Sequence, residues 1–175
     1  MAATIDATLG GASANSYVTL AEADAYFLTV PHDEHWIGSD DKKNRVLITA
    51  TRYLDNFDYY GTRCSTTQAL KWPRKDYKVD GVEIDCTYIP QQVKNATFEL
   101  AHALSYKGEA LVGTTGTQGT YEEVELGDLK VKYKDSSQTP GVINNILDIY
   151  PWLESFLGPY MKSGATNYAV TLERG

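Results

Sequence analysis

Apolar side chains recur at helical spacing in two segments of the first third of the chain. Thr19 to Glu22 matches the capping box, in which the threonine hydroxyl and the glutamate carboxylate each accept a backbone N–H at the helix start. The periodic positions that follow end before Pro31, which cannot continue a helix. A second set, from Val46 to Phe57, lies at steps of one, three and four, with Asp40 or Asp41 as the N-cap. The pattern predicts two amphipathic helices.

A third and longer periodic segment lies in the middle of the chain. Pro90 stands where the first residue of a helix tolerates proline, and apolar positions then recur from Val93 to Leu111 at about 3.6 residues per turn. Two short apolar segments follow near the end, Val142 to Ile149 and Trp152 to Leu157. They predict two further short helices.

Two stretches alternate apolar and polar residues instead, which is the period of a β-strand. Tyr121 to Asp135 alternates on both sides of Gly127-Asp128, with acids mostly before this turn and lysines after it. Weaker strand-like pieces, Tyr77 to Val79 and Val82 to Ile84, flank the turn dipeptide Asp80-Gly81 within a long connection. A connection this long usually has a function.

These elements predict a mainly α fold, a small helical bundle with an inserted β-hairpin and extended N- and C-terminal arms. A chain of 175 residues with 42% hydrophobic residues can bury a core as a single domain. Within residues 1–175, the predicted parts are an N-terminal arm (1–16), the bundle (17–118), the hairpin (119–135), C-terminal helices (140–158) and a C-terminal arm (159–175).

The charge balance narrows the classes of partner. Sixteen basic and twenty-three acidic residues give a net charge of −7, the wrong sign for a protein whose main task is to neutralise phosphates. No apolar run approaches the ~20 residues that span a bilayer, so we expect no membrane partner. Two cysteines without a paired spacing, and no signal peptide, favour synthesis in the reducing cytoplasm.

Catalytic chemistry has little support in the sequence. The stretch His32 to His35 holds two histidines and two carboxylates, but the histidines are three apart and follow Pro31, so a solvated loop is a better interpretation than a metal site. His102 has no nucleophile or carboxylate at a recognisable motif spacing. No nucleophile elbow, phosphate-binding loop or dinucleotide-binding glycine pattern occurs. We therefore expect no enzyme activity, no catalytic residues, no metal and no cofactor.

The corner Trp72-Pro73-Arg74 is rigid, because proline fixes its own φ and restricts the residue before it. The favoured interpretation is that Trp72 fills one end of the bundle and Arg74 pairs with a nearby acid. The alternative is that the corner faces a partner.

Five motifs in order resemble a known family. They are S-Y-V-T-L-A-E-A-D-A-Y-F, K-K-N-R-V-L-I-T-A-T-R-Y-L-D, Q-A-L-K-W-P-R, I-P-Q-Q-V-K-N-A-T-F-E-L-A and L-G-D-L-K-V-K-Y. The chain from about Ser16 to Leu157 resembles the head–tail connector (adaptor) proteins of tailed double-stranded DNA phages, a group also labelled DnaT-like single-stranded-DNA-binding.

The resemblance implies a structural protein that forms a ring under the portal, usually a dodecamer, joins head to tail and lines the conduit for the genome. Its implied partners are other copies, the portal protein, tail or neck proteins, and genomic DNA that passes without tight binding. Its implied location is the virion neck, after assembly in the host cytoplasm. The family implies no catalytic residues, so the candidate residues are interface positions. They are Trp72, Pro73, Arg74, Tyr121, Glu123, Glu125, Lys130, Lys132, Tyr133, Tyr168, Val170 and Leu172.

The hairpin and the arms give these candidates a physical rationale. A lone two-stranded hairpin is marginal in water, and its unpaired edges invite another strand. We expect a neighbouring copy or partner to complete it, and we expect both arms to become ordered on docking.

A second function remains open, an accessory protein that binds single-stranded DNA. Trp36, Trp72 and tyrosines would then be stacking platforms beside a basic groove. The densest basic cluster is Lys71, Arg74, Lys75 and Lys78, and the remaining cations are scattered.

Overall fold

A computed structural model describes residues 3–34, 36–107, 124–126, 129–131 and 146–162. The helices are α1 (Leu20–Phe27), α2 (Asp40–Leu54), α3 (Gln91–Lys107), α4 (Ile146–Ile149) and α5 (Leu153–Leu157). The strands are β1 (Thr62–Arg63), β2 (Arg74–Lys75), β3 (Tyr77–Val79), β4 (Val82–Ile84), β5 (Val124–Leu126) and β6 (Leu129–Val131). No helix within the described ranges is long and apolar enough to cross a membrane.

The chain divides into two compact units. The first comprises Met1–Gly108 and Trp152–Gly175, and the second comprises Glu109–Pro151. In the first unit, α2 packs on α3, α1 packs on α2, and α5 packs on α3. The buried apolar side chains of α2 and α3 are Leu47, Ile48, Ala50, Leu54, Val93, Ala96, Phe98, Leu100, Ala101 and Leu104.

The prediction of a mainly α bundle with extended arms is wrong. The described residues combine the helices with three two-stranded antiparallel sheets, β1–β2, β3–β4 and β5–β6. Only the last of these is the inserted hairpin of the prediction. The pair β1–β2 was missed because strands of two residues are too short to show an alternating pattern.

The N-terminal segment is also not a free arm, because it is hydrogen-bonded to itself and to the first unit. The backbone N–H groups of Asn15 and Ser16 donate to the carbonyl of Asp6, at 2.8 and 3.2 Å. The backbone N–H of Ala3 donates to the carboxylate of Asp41 on α2, at 2.6 Å. Such local polar contacts leave no hydrophobic period in the sequence. The predicted C-terminal arm lies mostly outside the described residues.

The predicted helices are present in the described residues, but their first and last residues differ from the predicted ones. At α1, Thr19 and Glu22 form both hydrogen bonds of the capping box, as predicted. At α2, the N-cap is Ser39 and not an aspartate, and the helix ends at Leu54, before Phe57. The carboxylate of Asp55, just beyond α2, accepts hydrogen bonds from the Tyr17 hydroxyl and from the backbone of Lys71. These two tertiary hydrogen bonds fix the conformation of the chain where it leaves α2.

Both predicted hairpins have the expected pairing where the structure describes them. Tyr77 lies opposite Ile84 in β3–β4. In β5–β6, Glu125 lies directly opposite Lys130, and Leu126 lies opposite Leu129. An acidic and a basic residue thus share a register position, which the alternation of acids and lysines allows.

A disulfide that was not predicted joins Cys64 to Cys86, with 5.7 Å between their Cα atoms. It closes a loop over a sequence separation of 22 residues, and that loop contains β2, β3 and β4. Because the two cysteines lie far apart in sequence and outside any motif, only the fold brings them together.

Candidate functional site

Trp72 of the predicted interface corner lies inside the first unit, with 1% of its surface exposed. Its ring contacts three tyrosine rings: those of Tyr59, Tyr160 and Tyr77, whose centroids lie 5.4, 5.8 and 6.3 Å from its own. The favoured interpretation placed this side chain at one end of a bundle, and its burial agrees with that part of the interpretation.

Arg74 is also buried, but among the described residues it pairs with carbonyls and not with an acid. Its Nε donates to the carbonyl of Tyr60 at 2.7 Å, and Nη1 donates to that of Lys71 at 3.3 Å. Its Nη2 donates to the carbonyls of Tyr59 and Gly61, at 3.2 and 2.6 Å. Burial lowers the pKa of the guanidinium. One side chain therefore holds residues 59–61 against β2.

Gly61 lies close to the backbone of β2. It has a φ of +71°, and a Cβ at this position would lie 2.2 Å from the carbonyl oxygen of Lys75. Only glycine tolerates both the left-handed backbone and this approach. Its neighbour Tyr60 is 42% exposed.

The remaining interface candidates are only partly described. Glu125 and Lys130 face each other in β5–β6. Tyr121, Glu123, Lys132, Tyr133, Tyr168, Val170 and Leu172 lie outside the described residues. The interface role of the whole set, including the buried corner Trp72-Pro73-Arg74, stays a prediction.

Neither tryptophan proposed as a stacking platform is available to a ligand. Trp72 is buried, and Trp36 is 7% exposed. The ring of Trp36 stacks on Phe27 at 4.5 Å, and its Nε1 donates to Asp24 at 2.7 Å. Stacking would have to use other aromatic side chains.

Exposed aromatic and basic residues lie on the segments that surround Arg74. Residues 160–162 run antiparallel to residues 58–60, since Tyr60 N donates to the Tyr160 carbonyl and Lys162 N donates to the Asp58 carbonyl. β1 begins two residues after Tyr60 and pairs with β2, and β2 contacts β4, the partner of β3. We define the exposed strip as Tyr60, Arg63, Lys75, Lys78 and Lys162, all of them exposed.

The four cations of the exposed strip are not neutralised by close ion pairs. None of them lies within ion-pair distance of a carboxylate in the described part of the chain. Lys78 faces Glu83 across β3–β4, so its charge is partly compensated. Lys71 of the predicted cluster lies 3.7 Å from Asp58 and donates to two backbone carbonyls. The strip thus shares only Lys75 and Lys78 with the predicted cluster.

His32 and His102, the two described histidines, lie close to each other. His32 Nε2 lies 2.9 Å from a carboxylate oxygen of Glu99 on α3, and its ring contacts that of His102 at 5.3 Å. His35 lies outside the described residues. Among the residues that the structure describes, no group of three or more metal-ligating side chains converges.

Comparison with known proteins gives one match. No curated protein and no solved structure matches the chain. A family profile described as "Putative DnaT-like ssDNA binding protein" matches residues 1–175. This supports the single-stranded-DNA label of the predicted resemblance and gives no support to its head–tail connector part. The chain belongs to the DnaT-like single-stranded-DNA-binding family.

Proposed function

We propose that the protein binds single-stranded DNA along the exposed strip. The family match over residues 1–175 carries this proposal. The strip supplies the two groups that such binding needs, cations for the phosphates and an exposed ring, Tyr60, on which a base can stack. The role requires no catalytic residue, cofactor or metal, and we propose that the protein is not an enzyme.

The net charge of −7 sets the expected strength of binding. An acidic surface repels phosphates everywhere except at a local group of cations. We therefore propose modest affinity that falls steeply with salt, and not the tight binding of a basic protein.

Reversing two charges of the strip tests its role. We expect the double variant Arg63→Glu/Lys75→Glu to bind a labelled oligonucleotide of about 16 nucleotides roughly tenfold more weakly at ~0.15 M salt, because two phosphate contacts are lost. Fluorescence anisotropy measures this change directly.

The matched control is Lys42→Glu/Arg52→Glu, at two exposed cations of α2 outside the strip. It makes the same change of net charge. Equal weakening by both double variants would show that only overall charge matters, and would contradict the strip as a binding surface.

A second candidate function is the structural connector, favoured by β5–β6. This two-stranded sheet pairs Glu125 with Lys130, and a sheet of two strands gains stability from a further strand. In this role the protein would form a ring in the virion neck and bind the portal and neck proteins.

Charge exchange in the hairpin tests the connector. We expect Glu125→Lys to weaken assembly with purified portal protein about fivefold, since it sets two lysines opposite each other, and Glu125→Lys/Lys130→Glu to restore it. Mass measurement of the mixtures gives the stoichiometry. If the wild-type protein does not bind the purified portal protein, the connector function is wrong.

A further inference from the structure

A disulfide ties together the two strand pairs that carry most cations of the exposed strip. Cys64 directly follows β1, and Cys86 lies two residues beyond the end of β4. The backbone N–H of Cys64 donates to the carbonyl of Pro73 at 3.4 Å, so the chain at Cys64 still lies along the segment that leads into β2. The bond therefore links the β1–β2 pair to the end of the β3–β4 pair.

Three of the four cations of the exposed strip belong to the part of the chain that this bond constrains. Arg63 is the neighbour of Cys64, and Lys75 and Lys78 lie between the two cysteines, in β2 and β3. Lys162 lies outside the loop. The state of the bond thus affects the side chains that the proposed function uses.

The β1–β2 pair is held in place without the disulfide. Arg74 of β2 donates to the carbonyls of residues 59–61 and of Lys71. In the same corner, Trp72 is buried. These contacts do not involve the sulfur atoms, so the β1–β2 pair stays in place when the disulfide opens.

The β3–β4 pair has fewer attachments. Of residues 77–84, all of which the structure describes, only Ile84 is buried. The centroid of the Tyr77 ring lies 6.3 Å from that of Trp72, and β4 contacts β2. A two-stranded sheet with so little buried surface is marginal by itself. Opening the disulfide therefore loosens β3–β4, and Lys78 with it.

The bond is suited to thiol–disulfide exchange. Both cysteine residues are partly exposed, and the chain has no third cysteine. A thiolate of a dithiol reductant attacks one sulfur and forms a mixed disulfide, which the second thiol of the reductant then breaks. The protein gains two electrons and two protons and is left with two thiols, while the dithiol becomes a disulfide.

We propose that the Cys64–Cys86 disulfide is a redox modification site that controls DNA binding at the exposed strip, an inference that rests on the proposed function. In the oxidised protein, β3–β4 holds Lys78 in place to contact a phosphate. In the reduced protein, β3–β4 is mobile, and the same contact requires it to become ordered, at a cost in conformational entropy. The reduced protein therefore binds single-stranded DNA more weakly.

The test compares oxidised and reduced wild-type protein. Each form is titrated into a labelled thymidine strand of about 16 nucleotides, with dithiothreitol as the reductant, and anisotropy measures binding at ~0.15 M salt. We expect reduction to weaken binding roughly fivefold and to change the salt slope from about −3 to about −2, since about one of the four phosphate contacts is lost. Re-oxidation with oxidised glutathione should restore both values.

Two charge variants locate the effect in the chain. Lys78→Gln should weaken binding by the oxidised protein about fivefold and make binding insensitive to dithiothreitol. The matched control, Lys162→Gln, removes the same charge outside the loop and should keep the response to dithiothreitol. The double variant Cys64→Ser/Cys86→Ser should bind like reduced wild-type protein, with and without dithiothreitol.

The outcomes separate this inference from the function on which it rests. Tryptophan fluorescence, which reports on the buried Trp36 and Trp72, should have the emission maximum of folded protein in both forms. Equal binding by the two forms, a response that survives Lys78→Gln, or a fluorescence change that shows unfolding of the core would overturn the redox site and leave the strip intact. If neither form of wild-type protein binds the strand, both proposals are wrong.

Discussion

Replacing Arg74 with methionine should lower the free energy of unfolding by about 4 kcal/mol. The guanidinium donates to the carbonyls of Tyr59, Tyr60, Gly61 and Lys71 from a side chain that is 8% exposed. Methionine keeps an unbranched apolar stem that reaches about as far as Nε but donates nothing, so these carbonyls lose their partners. Urea unfolding followed by tryptophan fluorescence measures the loss.

The chain offers a matched control directly across the strand pair. Arg63 lies opposite Arg74 in β1–β2 and is exposed. We expect Arg63→Met to change stability by no more than about 0.5 kcal/mol, as for most surface substitutions. Arg74→Lys should remain destabilised, because one ammonium cannot replace a planar fork of donors. Equal effects of Arg63→Met and Arg74→Met would contradict the structural role of Arg74.

Opening the Cys64–Cys86 disulfide should lower the free energy of unfolding by about 3 kcal/mol. The link limits the freedom of the unfolded chain over a sequence separation of 22 residues, and removing it restores that freedom. Urea unfolding of oxidised protein with and without a dithiol reductant measures the difference.

The double variant Cys64→Ser/Cys86→Ser is the control for effects of the reductant itself. It should unfold near the midpoint of the reduced wild-type protein and should not respond to reductant. If oxidised and reduced wild-type protein unfold at the same urea concentration, the disulfide contributes nothing to stability and this account of the loop is wrong.

The sequence predicted those elements that depend on residues close together in the chain. The capping box at Thr19 and the turn dipeptide Asp80-Gly81 act through neighbouring residues, so α1 and β3–β4 could be placed from the sequence. The strand pair β1–β2 and the disulfide depend on residues that meet only after folding. The bundle prediction failed because these tertiary features have no periodic signature.

For the candidate site, the sequence could predict the types of residue but not their exposure. The sequence indicated aromatic and basic residues, but it could not show that Trp36 and Trp72 are buried while Tyr60 is exposed. Arg74 was placed in the basic cluster because charge is visible in a sequence and burial is not. Arg63 and Lys162 were missed because they join Lys75 only through antiparallel neighbours in space.

The salt dependence of oligonucleotide binding tests the central claim most directly. If the four cations of the exposed strip contact phosphates of a single strand, log Kobs should fall with log salt concentration with a slope of about −3, and Arg63→Glu/Lys75→Glu should reduce that slope to about half. The account predicts saturable, micromolar binding of wild-type protein at ~0.15 M salt. Absence of saturable binding, or a slope that the variant leaves unchanged, would contradict it.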